Sequence, residues 1–221
     1  GGDGDRLSRM RRRLILPPPA LFPTPAFAAG CPTGFFTAAA GPDTASMLEI
    51  GKDGRFRYIL SEGAIDERAE GRWVCEDGVL KLTSEPTPKP AEFTLAKVSE
   101  GEESPFSLLV TWPDGRGVPL VDFRLDFESG EPVIGYTQQD GWSRDLDGRV
   151  PKSVQVAEPF YQTVSPVFPV PARSGIKVQI VLTPNDMGKA DFRAVTATPV
   201  NNGLVLRWRE RDIPYRREEE R

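Results

Sequence analysis

The chain has 221 residues, 38% of them hydrophobic, with a formal charge of -4 and no histidine. It therefore has apolar material for a core, and it cannot run Ser-His-Asp or Cys-His catalysis, build a histidine-centred zinc site or use an imidazole as a pH switch. Its acidic balance and the absence of any Lys/Arg run beyond Arg13 exclude a nucleic-acid surface, whose phosphates need clustered cations.

The first stretch with a pattern is RMRRRLILPPPALFPTPAFAAGC, Arg9 to Cys31. Met10, then Arg11, Arg12 and Arg13, an apolar span from Leu14, and Ala26-Phe27-Ala28 follow the order of a secretory signal, basic then apolar then small-x-small. Pro17, Pro18, Pro19, Pro23 and Pro25 oppose the helix such a signal prefers, which leaves a retained polyproline arm as the other reading. Residues 1–28 are taken as the leader, with 1–9 as upstream translated residues; they carry five arginines and two aspartates, so the remainder stands at about -7. Ala28-Ala29-Gly30-Cys31 also offers a lipidation site, although Ala28 stands where a lipobox has a larger aliphatic residue. Export to the periplasm or beyond predicts instead that Cys31 bonds Cys75, closing a loop of about 44 residues and stabilising the fold by about 3 to 4 kcal/mol. Reduced thiols in a cytosolic protein are the alternative. No run of 18 apolar residues follows the leader.

The 21 glycines and 22 prolines leave almost no long window for a helix, which points to an all-β fold. Residues 29–88 read as a small antiparallel meander. In MLEIGKDGRFRYIL, Leu48 and Ile50 precede a Lys52-Asp53-Gly54 turn, and Phe56, Tyr58 and Leu60 then alternate with Arg55 and Arg57. EGAIDERAE reads as a helical turn or wide loop, after which Trp73 and Cys75 point inward, Asp77-Gly78 turns the chain, and Leu80 and Leu82 return.

SEPTPKPAE, Ser84 to Glu92, is the predicted domain boundary. Residues 89–214 read as a β-sandwich with strands at FTLAKVS, FSLLVTWP, VPLVDFRLDFE, PVIGYTQQ, SVQVAEP, SPVFPVP, GIKVQIVLTP, FRAVTATPV and GLVLRWR. Asn201-Asn202-Gly203 marks the hairpin between the last two. RWRERDIPYRREEER reads as a solvated region of mixed charge, with residues 215–221 as a tail.

The run from Leu48 to Ser84, with its dG-x-f-x-y, G-x-W and g-x-L-x-L elements, resembles the N-terminal β-meander of exported, uncharacterised bacterial proteins of lipocalin-like kind. GVPLVDFRLDFESGEPVIGYTQQDGW resembles the carboxypeptidase-regulatory or transthyretin-like sandwich through Gly117, Pro119, Leu120, Thr137, Asp140 and Gly141. Trp142 stands one position early for that pattern, and Gln138 replaces its acid.

Chemistry is sparse. Neither G-x-G-x-x-G opening a helix nor G-x-x-x-x-G-K-[ST] occurs, so these nucleotide-binding routes are excluded. A carboxylate pair could hydrolyse glycosides, but Asp122 and Asp126, four residues apart on one strand face, stand about 13 Å apart, too far for either mechanism. SRDLDGR, Ser143 to Arg149, puts Ser143, Asp145, Asp147 and Gly148 at calcium-loop positions one, three, five and six, but position twelve is Val154. TPNDMGKADF, Thr183 to Phe192, reads as a capped turn. Trp73 belongs to the core, while Trp112, Trp142, Trp208 and Tyr161 are candidates for a surface that stacks on sugars or anchors a partner, Trp112, Trp142 and Tyr161 foremost.

The expectation is an exported, non-enzymatic envelope protein acting as a binding or assembly module for a protein or carbohydrate partner, with no catalytic residue, metal or cofactor. The alternatives are a carrier whose barrel is lined by Phe56, Tyr58, Trp73 and Leu80, and a carboxylate-dependent glycoside hydrolase.

Overall fold

In a computed structural model, described for residues 30–41, 43–101, 105–173 and 175–219, the chain is all-β. The expected export leader lies outside the described residues apart from Cys31 and the Gly30 before it. Five strands come first: β1 (Gly34–Gly41), β2 (Thr44–Ile50), β3 (Arg55–Glu62), β4 (Ile65–Glu76) and β5 (Val79–Ser84). β6 (Glu92–Glu100), β7 (Phe106–Thr111), β8 (Asp122–Phe127), β9 (Val133–Tyr136), β10 (Trp142–Arg144), β11 (Pro151–Glu158), β12 (Thr163–Val164), β13 (Phe168–Pro169) and β14 (Ile176–Thr183) follow. The last three are β15 (Val195–Val200), β16 (Gly203–Trp208) and β17 (Arg211–Arg217).

The meander does not stand alone. It closes into an eight-stranded barrel in the order β1-β17-β16-β15-β5-β4-β3-β2. The sandwich, with sheets β10-β7-β14-β6 and β12-β11-β8-β9 and β13 pairing β11, is inserted between β5 and β15. Two parts of the expected division are corrected. Residues 195–214 belong to the barrel rather than the sandwich, because Val195 to Ala197 pair Leu82 to Leu80 on β5 and carry the wall onward. Residues 215–217 are no tail: Tyr215 is 2% exposed inside the barrel, and Arg216 and Arg217 pair Thr37 and Phe36 on β1.

EGAIDERAE is likewise strand, not helical turn or loop. Gly63-Ala64 turns β3 into β4, and Glu67 and Ala69 point inward while Asp66, Arg68 and Glu70 face water. The Asp77-Gly78 hairpin forms as expected, both residues at positive φ. At the next hairpin the turn is Asn201-Asn202, and Gly203 already belongs to β16. Gly203 is needed for space, since a Cβ there would lie 1.9 Å from the Tyr215 carbonyl oxygen across the sheet.

Cys31 and Cys75 are bonded with Cα atoms 6.0 Å apart, tying the chain just before β1 to the end of β4. Among the described residues no helix is long and apolar enough to cross a membrane.

Candidate functional site

Alternation places Phe56, Tyr58 and Leu80 inside the barrel. Its centre is filled. Leu48, Tyr58, Leu80, Leu82, Ala197, Leu204 and Leu206 are 0% exposed, and a side chain no water can touch lines no space for a ligand. The plug is Phe192, from the segment between the sandwich and β15. Its ring lies 5.6 Å from that of Phe56, 5.0 Å from Tyr58 and 4.6 Å from Trp208. Trp73 is half-buried, packs against this core and donates its indole N–H to the Gly51 carbonyl at 2.9 Å.

One charge sits within this apolar packing. Glu67 is 3% exposed; its Oε1 accepts the Tyr58 hydroxyl at 3.2 Å and the Trp208 indole N–H at 3.0 Å, and its Oε2 meets the Arg209 guanidinium. Arg209 and Glu210 form the two-residue turn between β16 and β17 with φ of 49° and 61°, a conformation that favours glycine or asparagine. The strained turn brings the guanidinium back over the barrel to its carboxylate. Burial, with the Glu67 charge second, pushes the Tyr58 hydroxyl well above its ordinary pKa. Burial also pushes Tyr215, bonded to Ser46 at 2.6 Å, up to about 12. Every polar atom here is partnered within the wall, which is the arrangement of a structural network rather than an open reaction site.

Of several concavities, one lies at the neck, where two connections join barrel and sandwich. They are laced together: the Lys89 amide donates to the Asp186 carboxylate at 2.9 Å, the Asp186 amide to the Lys89 carbonyl at 3.0 Å, and the Asn185 side chain to the Pro90 carbonyl at 2.9 Å. The second connection then becomes barrel wall. Arg68 donates its amide to the Gly188 carbonyl and accepts from the Ala190 amide, while the Ser84 hydroxyl donates to the Ala190 carbonyl and receives the Phe192 amide. The TPNDMGKADF turn is thus the clasp of the neck. The Lys189 ammonium, followed by the Lys89 amide, holds the Asp186 carboxyl below the usual carboxylate range.

Between this clasp and the outer face of β3 and β4 lies a cleft of about 190 Å³. Ile59, Pro86 and Pro88 give it an apolar lining; Arg57, Arg68 and Lys189 stand around it, with Glu70 as the single carboxylate among its lining residues. Arg57 has Glu49 at 3.8 Å and Lys189 has Asp186 at 2.7 Å. Among the described residues Arg68 has no carboxylate within ion-pair distance; its cross-strand neighbour is Ile59, which is 46% exposed on a face otherwise carrying arginines, Glu70, Ser61 and Asp66.

The structure does not bring the expected surface aromatics together into one site. Trp112 and Trp142 pack partly buried against the sandwich core, Trp142 with its ring 4.7 Å from that of Phe123. Tyr161 is half-buried and reaches the other unit, donating its hydroxyl to the Asp66 carbonyl at 3.4 Å. In the Ser143–Arg149 loop, Asp145 accepts the Asp147 amide at 2.8 Å, as in a plain Asx turn. Asp126 pairs Arg124 at 2.9 Å. Among the described residues no three His, Cys, Asp or Glu side chains gather as metal ligands would. Sequence reading missed Glu67, Phe192, Arg68 and Lys189; the one usable signal was the inward phase of Glu67 relative to Ala69, two residues on.

No protein-family model matches the chain, and neither a curated protein nor a solved structure matches it. The functional reading therefore rests on the chain's own residues.

Proposed function

We propose that this is an exported, non-enzymatic binding module of the bacterial envelope, periplasmic or secreted, in which a rigid barrel carries an inserted sandwich. Both resemblances, lipocalin-like and transthyretin-like, belong to this reading. The observation that carries it is the barrel whose centre is plugged by Phe192 and which is stapled by Cys31–Cys75. The filled centre of the barrel counts against the carrier alternative, and the concavities left for recognition are at the neck, on the exterior and at one barrel end, where Ala38, Ser46 and Leu60 line about 140 Å³. The disulfide supports an oxidising compartment, where such bonds persist.

The test is N-terminal sequencing of the protein recovered from its native cell, with a thiol count before and after reduction. A start near Ala29 and no free thiol are expected. Two free thiols with the Arg9 to Ala28 stretch still attached would overturn the export reading.

A further inference from the structure

We propose that the neck cleft binds a carboxylate carried on a small apolar body, either a free organic acid or the C-terminal residue of another polypeptide. The proposal names the ligand of the binding module described above and rests on that reading.

The protein is acidic overall, yet the cleft is lined by Arg57, Arg68 and Lys189 with Glu70 as the one lining carboxylate, and Glu49 and Asp186 stand behind them. Two of these cations are already engaged, Arg57 loosely with Glu49 and Lys189 closely with Asp186. Arg68 feels the Asp186 charge but has no carboxylate within ion-pair distance among the described residues, and its planar guanidinium matches the two oxygens of a carboxylate. Glu70 beside it opposes a second negative charge, so a singly charged carboxylate suits the rim better than a phosphate dianion.

The apolar part follows from Ile59, Pro86 and Pro88. Ile59 lies directly across the β3–β4 ladder from Arg68, so a ligand whose charge meets Arg68 sets its body against Ile59 and the two prolines. At about 190 Å³ the cleft is smaller than pockets for drug-sized molecules, which limits the body to one aromatic ring or one branched aliphatic group. The walls are pre-set. The Arg68 amide donates to the Gly188 carbonyl and its carbonyl accepts from the Ala190 amide, and the lacing of Asp186 with Lys89 fixes the connection that carries Lys189. A site held this way loses little freedom on binding.

Full-length protein is titrated with phenylacetate, with phenylacetamide, and with a short peptide ending in leucine as free acid or as amide, followed by calorimetry and by backbone NMR shifts of Ile59, Arg68 and Lys189. One-to-one binding of the acids, at least tenfold weaker binding of the neutral partners, and weakening by salt are expected. Arg68→Gln should lower affinity at least tenfold. It leaves the main-chain bonds to Gly188 and Ala190 in place, and an unchanged melting curve checks that it does. Ile59→Thr keeps a β-branched residue on the strand and should weaken binding through the apolar body. Binding of the peptide without phenylacetate assigns the polypeptide source; binding of both shows that a free acid suffices. Absence of binding at millimolar concentration, equal binding of the amides, or indifference to Arg68→Gln would overturn the proposal. None of these outcomes touches the export reading, which N-terminal sequencing and the thiol count decide.

Discussion

Inside the barrel Glu67 ties the Tyr58 hydroxyl to the Trp208 indole, and Tyr215 separately bonds Ser46, whereas the sandwich buries Thr137, Glu158 and Ser165, whose side chains bond main-chain groups beside a core cluster running from Phe93 through Leu125 to Leu182. The barrel also has its staple and its plug, and that plug is supplied by the connection returning from the sandwich. Two all-β units on one chain are therefore stabilised differently. The sandwich depends on packing and on buried polar side chains bonded to its own main chain, while the barrel adds a covalent link, a buried carboxylate paired with an arginine and two buried tyrosine hydroxyls.

The comparison is broken most directly by removing the plug. Phe192→Ala should cost about 3 to 5 kcal/mol, read as faster hydrogen exchange across β3, β4 and β5 with β7, β8 and β14 unchanged. Leu125→Ala, by loss of about 2 to 5 kcal/mol in the sandwich, should give the reverse map. Equal loosening of both units by either variant would show that the neck makes them one cooperative unit. Next in size is the disulfide. Cys75→Ser should remove about 4 kcal/mol by the chain-entropy model for a loop of this length, again confined to barrel strands and seen as a lower urea midpoint for that transition.

Glu67→Leu takes the acceptor from Tyr58, Trp208 and Arg209 together. The Arg209 guanidinium can turn to water, but the hydroxyl and indole stay buried without partners, at a cost of about 2 to 3 kcal/mol. Glu67→Gln, which keeps an acceptor, should cost less, and the difference between the two variants measures the network. The smallest effect is that of pH. Tyr58 and Tyr215 both have pKa values raised by burial in the native state, so they keep their protons after the unfolded chain has begun to lose them. Their contribution is complete below pH about 10, the unfolded value, and is lost as pH rises toward and through the native values. The barrel midpoint in urea should fall between pH 9.5 and 11.5, by up to ~1.4 kcal/mol per pH unit for each tyrosine, while the sandwich midpoint changes less.

How far the residues announce these features depends on the sign of their surroundings. Phe56, Tyr58 and Leu60 alternate with arginines, so β3 is legible as a strand with one wet face. The same alternation runs through β4, but a glutamate stands at an inward position, and a charge in the apolar phase erases the pattern. β17 is hidden in the same way: only Ile213 and Tyr215 face inward between arginines and an aspartate, so a barrel strand reads as a charged tail. At the neck, Asn185, Asp186 and Gly188 are visible as a turn, but nothing local to them says that Lys189 will stand over Arg68, a residue far away in the chain.

By itself the sequence determined the all-β class, the hairpins at Asp53-Gly54 and Asp77-Gly78 and the positions of most sandwich strands, because period-two burial and turn chemistry are local properties. Only the tertiary structure decided that the N-terminal meander closes with the three C-terminal strands, that Phe192 fills what they enclose, and that the neck cleft exists. Barrel closure joins strands more than a hundred residues apart, and which edge a strand takes depends on the free edges the rest of the chain leaves, which no local pattern encodes.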